Sequence, residues 1–107
     1  MLSKFKNVLV LAPHTDDGEL GAGGTISKLV ESGANVYYVA FSAAEESVPK
    51  EFDKNILRTE VLNATSKLGI KKENVTVYKY KVRNLNYARQ DILDNLISQR
   101  RGIKPDL

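Results

Sequence analysis

Three side chains able to bind a metal or relay a proton fall within four residues of one another: His14, Asp16 and Asp17. They lie in the segment Ala12-Pro13-His14-Thr15-Asp16-Asp17-Gly18-Glu19-Leu20-Gly21-Ala22-Gly23-Gly24. Zinc accepts imidazole nitrogen and carboxylate oxygen, and a catalytic zinc typically takes three protein ligands and keeps a fourth position for water. His14 and Asp17 could supply two of the three. An adjacent carboxylate that does not bind the metal, Asp16, is then free to act as general base toward water. A second reading stays open, because Asp-Asp-Gly ahead of a helix is also an ordinary cap, with carboxylates accepting from free helix N–H groups at the positive end of the dipole. The glycines from Gly21 to Gly24 lack the Gly-x-Gly-x-x-Gly spacing of a dinucleotide loop, and two acids stand where a phosphate would sit, so close packing of helix on sheet explains them better.

The elements around this turn decide whether it is a site. Val8 to Ala12 is an unbroken apolar run, which is how a central strand buried on both faces of a parallel sheet reads. Pro13 ends it, and the polar turn leads into a helix from about residue 20 to 31, with Ile26, Leu29 and Val30 on one side and Gly33 as its stop. Val36 to Phe41 reads as a second strand, followed by an acid-bearing loop from Ser42 to Lys50. Ile56, Leu57, Val61, Ala64 and Leu68 recur at helical spacing before Gly69, and Val75 to Tyr80 alternates like an edge strand. Ala88, Ile92, Leu93, Leu96 and Ile97 mark a third helix, with Gly102 expected to close it. The order βαβαβα predicts an α/β fold, a Rossmann-like doubly wound parallel sheet with right-handed crossovers. In such a sheet ligands bind beyond the carboxyl ends of the strands, which is where the His14 turn and the loop bearing Ser42, Glu45 and Glu46 both emerge. Those loop residues are candidates to meet a substrate, although acids in a loop are by default solvated.

Residues 1–107 are expected to form one partial domain. In a doubly wound sheet the first strand pairs on its far side with a fourth, and Pro105-Asp106-Leu107 stands where that strand would begin, so the fold is expected to be truncated before it. The composition, 42% hydrophobic and 27% charged, is that of a globular chain. A net charge of +3 from sixteen basic and thirteen acidic residues suggests a polyanion, but the basic residues are spread from Lys4 to Lys104, and the expectation is of no nucleic-acid partner. There is no cysteine, so any metal must be held by His and carboxylates, and His14 is the one histidine. Val8 to Ala12 is too short for a signal-peptide core or a membrane span, which makes the cytoplasm the expected location.

The chain resembles the PIG-L/LmbE-like N-acetylglucosaminyl deacetylases, whose signature is a strand ending in a His-Pro-Asp-Asp-type turn followed by a Gly-rich helix start. The resemblance rests on Pro13 to Ile26 and continues through Phe41-Ser42-Ala43-Ala44-Glu45-Glu46-Ser47, the Glu60, Ala64, Leu68, Gly69 helix, Tyr87 to Leu93, and Lys104-Pro105-Asp106-Leu107. It implies hydrolysis of the N-acetyl group of an N-acetylglucosamine-like sugar or conjugate. It also implies a zinc ion, or another small divalent cation, on His14 and Asp17, with Asp16 as general base. The family's third ligand is a His in a His-x-Asp-His-type segment after the Pro-Asp-Leu strand, so residues 1–107 alone are expected to be nearly inactive. Three departures from the pattern are Thr15 for the usual Pro, Gly18 for a frequent Glu, and Arg58 two residues rather than three before Glu60, which weakens its carry-over to sugar binding. The competing expectation is a non-catalytic Rossmann-like domain that binds a nucleotide or a partner protein, with Asp16 and Asp17 as helix caps.

Overall fold

The computed structural model describes residues 2–45, 48–53 and 55–107. Three strands, β1 (Asn7–Ala12), β2 (Asn35–Ala40) and β3 (Val75–Val77), alternate with three helices, α1 (Asp17–Glu31), α2 (Ile56–Lys67) and α3 (Arg89–Ile103). The strands form one parallel sheet in the order β1-β2-β3. Parallel strands need crossovers, and the helices supply them.

The register pairs Val8 with Val36, Val10 with Tyr38 and Ala12 with Ala40, so these residues share one face of the pleat. Ile26 and Leu29 of α1, Val61 of α2 and Ile70 pack with that face into the main core. The opposite face carries Leu9, Leu11, Val39 and Phe41. On that side a cleft of about 360 Å³ is lined by Leu11, Phe41, and by Leu85 and Ile92 from the segment ending in α3. Asn95 and Gln99 fasten α3 to the chain after β3, donating to the Tyr80 and Tyr78 hydroxyls at 2.9 Å each. α3 is thus attached on the side opposite α1 and α2, with the cleft left open between it and the sheet.

Helices α1 and α2 stop in the same way. Gly33 and Gly69 take left-handed conformations, with φ of 93° and 89°, and their N–H groups donate to Val30 and Ser66 carbonyls. The next residues, Ala34 and Ile70, donate to Leu29 and Thr65, which completes the Schellman pattern. The third helix departs from the sequence reading: it runs through Gly102 to Ile103, and the left-handed residue is Lys104. Lys104 N–H still bonds the Arg100 carbonyl, while Pro105 has no N–H to extend the ladder and disfavours the α conformation in the residue before it, so the break falls at Lys104.

One strand boundary also changes. β3 ends at Val77 rather than Tyr80; Tyr78 N–H bonds the Ala40 carbonyl and Tyr80 N–H the Phe41 carbonyl, two residues on one side against one on the other, which is off the parallel ladder. The order β1-β2-β3 leaves the far side of β1 for a further strand, as the doubly wound reading expects. The outer edge of β1 is occupied by the segment after α3: Leu9 N–H donates to the Leu107 carbonyl and Asp106 N–H to the Asn7 carbonyl, at 2.9 and 2.8 Å. This is the side on which a fourth strand is expected. The Asp106 carboxylate accepts from the Lys6 and Asn7 N–H groups, and these bonds, led by that of Lys6, hold it below the ordinary carboxylate range. No helix of the described residues is long and apolar enough to cross a membrane.

Candidate active site

β1 delivers the chain to the turn at Ala12, and two backbone bonds tie the turn to the end of β2. Phe41 N–H donates to the Ala12 carbonyl and Thr15 N–H to the Ser42 carbonyl, both at 3.0 Å. Thr15 is buried beneath the turn, so its exposed neighbours stand on a fixed base. His14 and Asp17 lie on the same side of it. Asp17 Oδ2 accepts from the His14 backbone N–H at 3.2 Å and lies 2.5 Å from His14 Nδ1. Nδ1 is shielded from water, and the Asp17 carboxylate is the group it meets. The imidazole and the carboxylate thus meet on one side of the turn, and both are donor types that a zinc ion accepts. A catalytic zinc usually takes three protein ligands, and the described residues contain no group of three or more candidates.

Asp16 occupies the cap position of α1 with φ of 82°, in the left-handed region, and its carbonyl accepts the first helical bond from Leu20. A non-glycine residue there carries strain of about 1–3 kcal/mol, and such strain gathers at functional sites. Its exposed carboxylate makes no capping bond. Since Asp17 bonds the His14 N–H instead, neither carboxylate plays the part that the capping reading assigns to it.

The first turn of α1 is fixed from below by a contact the sequence did not reveal. Tyr38, fully buried on β2, brings its hydroxyl within 3.2 Å of the Gly18 N–H, which donates to it. A Cβ on residue 18 would sit 2.3 Å from Tyr38 Cε2, so only glycine fits. The one available signal was Gly18 itself, standing where the resembled family often has Glu. Burial, and next the charge of Glu19, push the Tyr38 phenol well above its ordinary value, so it is neutral. Both Glu19 carboxylate oxygens are shielded from water and face the Tyr38 phenol.

The loop after β2 places the remaining candidates. Ser42 is fully buried, and its hydroxyl oxygen accepts from Ala44 N–H at 3.0 Å, which holds Ala44 at φ of 51°. Glu45 and Arg58 meet one another: Arg58 Nη2 lies 3.3 Å from Glu45 Oε1, while Nη1 donates to the Val77 carbonyl at 2.8 Å. Arg58 is therefore a clasp between α2, the end of β3 and the loop. Glu46 lies outside the described residues.

The fold is shared with known proteins. Over 98% of its length the chain superposes on 40% of the N,N'-diacetylchitobiose deacetylase of Pyrococcus horikoshii, solved with its inhibitor, with a TM-score of 0.85 and 29% identity. A conserved protein of Thermus thermophilus matches 70% of the chain over 32% of its own, with a TM-score of 0.60 and 28% identity. A 34-residue stretch, 32% of the chain and 13% of the relative, is 53% identical to the diacetylchitobiose deacetylase of Thermococcus kodakarensis. The chain thus spans well under half the length of these relatives. The family described as PIG-L, GlcNAc-PI de-N-acetylase, matches residues 9–107, nearly the whole chain, and the chain belongs to that family.

Proposed function

We propose that this protein removes the acetyl group from an N-acetylglucosamine-like sugar or conjugate by hydrolysis, with a zinc ion held in part by His14 Nδ1 and Asp17 Oδ2. The convergence of those two atoms beside the strained, uncapped Asp16 carries the reading. Family membership and relatives named as deacetylases of acetylated sugars support the substrate class. When bound, zinc or a similar divalent cation acidifies water and polarises the amide carbonyl. A further ligand must come from outside the described residues.

The chain's own residues then have separate tasks. Asp16 takes a proton from the attacking water as its oxygen bonds to the acetyl carbon, and returns that proton to the sugar nitrogen as the C–N bond breaks. Acetate and a free amine leave. Thr15 and Ser42 hold the turn to the sheet through their backbone bond, and Gly18 on Tyr38 sets where α1 begins.

The test is acetate release from N-acetylglucosamine conjugates by the full-length protein. Asp16→Asn is expected to lower turnover about 10²–10⁴-fold while bound zinc is kept. His14→Ala is expected to lose the metal as well. Near-normal turnover by Asp16→Asn would overturn the assignment of the base.

A further inference from the structure

The body of α1 does not by itself place the first turn, next to which the groups proposed to react are gathered. Ala22 has φ of −138° and ψ of 17°, outside the helical range, and so kinks α1 between its first turn and the part that packs into the core through Ile26 and Leu29. The regular ladder that would carry the orientation of the packed part back to Asp17 is interrupted there. A Cβ added at Gly21 or Gly24 would meet nothing within 4 Å, so no neighbouring element presses on the kinked stretch at either residue. Within the first turn the usual order of burial is reversed. Leu20 is 86% exposed, while the carboxylate oxygens of Glu19 beside it are shielded from water and face the Tyr38 phenol. A shielded carboxylate costs free energy unless a donor meets it. The phenol has one proton to give, and its oxygen already accepts from the Gly18 N–H at 3.2 Å, which leaves that proton for Glu19. One buried hydroxyl thus holds two consecutive residues, the backbone of Gly18 and the side chain of Glu19.

We propose that Glu19 is a positioning residue: its carboxylate orders the Tyr38 hydroxyl, and the pair sets the roll of the first turn of α1 and with it the direction of the Asp16 and Asp17 carboxylates. A single hydrogen bond at Gly18 leaves the turn able to swivel about it, and a second hold one residue further on removes that freedom. The inference rests on the deacetylase reading and adds to it what aims the proposed base and the acid proposed to bind metal. In the sequence Glu19 is only a third acid after Asp16 and Asp17, and only the packing of α1 on β2 turns it inward.

The experiment uses the full-length protein and its Glu19→Leu, Glu19→Gln and Tyr38→Phe variants, with the double variant of Glu19→Leu and Tyr38→Phe. Two quantities are read: amide exchange at Gly18, and kcat and KM for acetate release from the methyl glycoside of N-acetylglucosamine at saturating zinc. Glu19→Leu removes the acceptor. It should speed Gly18 exchange about five- to tenfold, the effect of one ordinary hydrogen bond. It should also lower kcat about 10²-fold, as a misplacement of about 1 Å does, with KM moved less than about threefold. Glu19→Gln still offers the phenol an oxygen and should recover most of both losses. Tyr38→Phe keeps the ring and removes both holds, so it should equal or exceed Glu19→Leu in both readouts. The double variant should lose no more turnover than Tyr38→Phe, while its urea midpoint rises above that of Tyr38→Phe because an unpartnered acid has gone. Turnover that recovers along with the midpoint would mark a merely structural role and overturn the proposal. Unchanged Gly18 exchange in Glu19→Leu, a Glu19→Gln protein as impaired as Glu19→Leu, or near-parent turnover in Tyr38→Phe would also overturn it, and each leaves the deacetylase reading standing. Tyr38→Phe decides the matter where Glu19→Leu does not fold. Release of acetate by none of the proteins, the parent included, with zinc bound, would remove the reading on which the proposal rests, and the proposal with it.

Discussion

Replacing Gly18 by Ala tests whether the first turn of α1 is held where chemistry needs it by Tyr38. The added Cβ would lie 2.3, 2.7 and 2.8 Å from Cε2, Oη and Cζ of the Tyr38 ring. Carbon atoms in good contact sit about 3.5–4.0 Å apart, so the gap must open by about 1.2 Å or more (3.5 − 2.3). The ring has no exit, being fully buried on the middle strand between β1 and β3. Overpacking of this kind costs about 1–3 kcal/mol. Separating the Gly18 N–H from the phenol leaves a buried donor unpaired, at about 1–3 kcal/mol more. Against this stands the better helix propensity of Ala, about 1 kcal/mol. The net expectation is a loss of about 3 kcal/mol, large beside the 5–15 kcal/mol of a typical domain. Urea unfolding of the full-length protein measures it, and a cycle with Tyr38→Val identifies the cause. Removing the ring should make Gly18→Ala less costly by about 1 kcal/mol or more. Where the variant stays folded, a 1 Å displacement of the adjoining carboxylates should lower turnover about 10²-fold. A Gly18→Ala protein as stable as its parent, or an effect indifferent to Tyr38, would refute the reasoning.

Two further outcomes arise from groups whose titration the fold alters. The Tyr38 phenol titrates above its ordinary value of 10.0, so its contribution is complete below that pH and is lost as pH rises through it, when the unfolded chain gives up a proton that the folded one keeps. The urea midpoint should fall above about pH 10 and fall less in Tyr38→Phe; equal slopes in the two proteins would count against it. Asp106 is shifted the opposite way from its ordinary 3.8, so its support of β1 is present above that value and lost as pH drops through the carboxylate range. Asp106→Asn should speed amide exchange at Lys6, Asn7 and Leu9 without altering that of β2, and unchanged exchange at Leu9 would mean that the carboxylate does not anchor this segment.

What could be read from the sequence was what local chemistry determines. The apolar run of β1, the recurrence of Ile26 and Leu29 or of Val61 and Ala64, and the glycines at 33 and 69 each state their element without reference to the rest of the chain. The position of His14, Asp16 and Asp17 at the end of a strand could be read for the same reason, since strand, turn and helix are contiguous. The misplaced boundaries arose where two local signals competed: Gly102 is a stop signal, but one glycine is tolerated inside a helix, and Pro105 had the stronger claim on the break. Contacts across the fold left no local trace. Nothing in Tyr38 announces that its hydroxyl meets Gly18, and nothing in Arg58 announces that it meets Glu45 and the Val77 carbonyl.

The same division explains how the site is built. The groups proposed to react come from one short turn, a poor place for precision, because loops move more than the elements they join. The turn is made rigid from β2: the Ser42 carbonyl holds Thr15, the Phe41 N–H holds Ala12, and the Tyr38 ring fills the space under Gly18. All three come from the strand paired with β1 or from the loop that continues it, so the parallel pairing of β1 with β2 positions the chemistry as well as the fold. The strain at Asp16 is sustained by the same neighbours. Without them the residue would be free to relax toward an ordinary cap, its carboxylate turning to the helix N–H groups and so being lost to the role of base proposed for it.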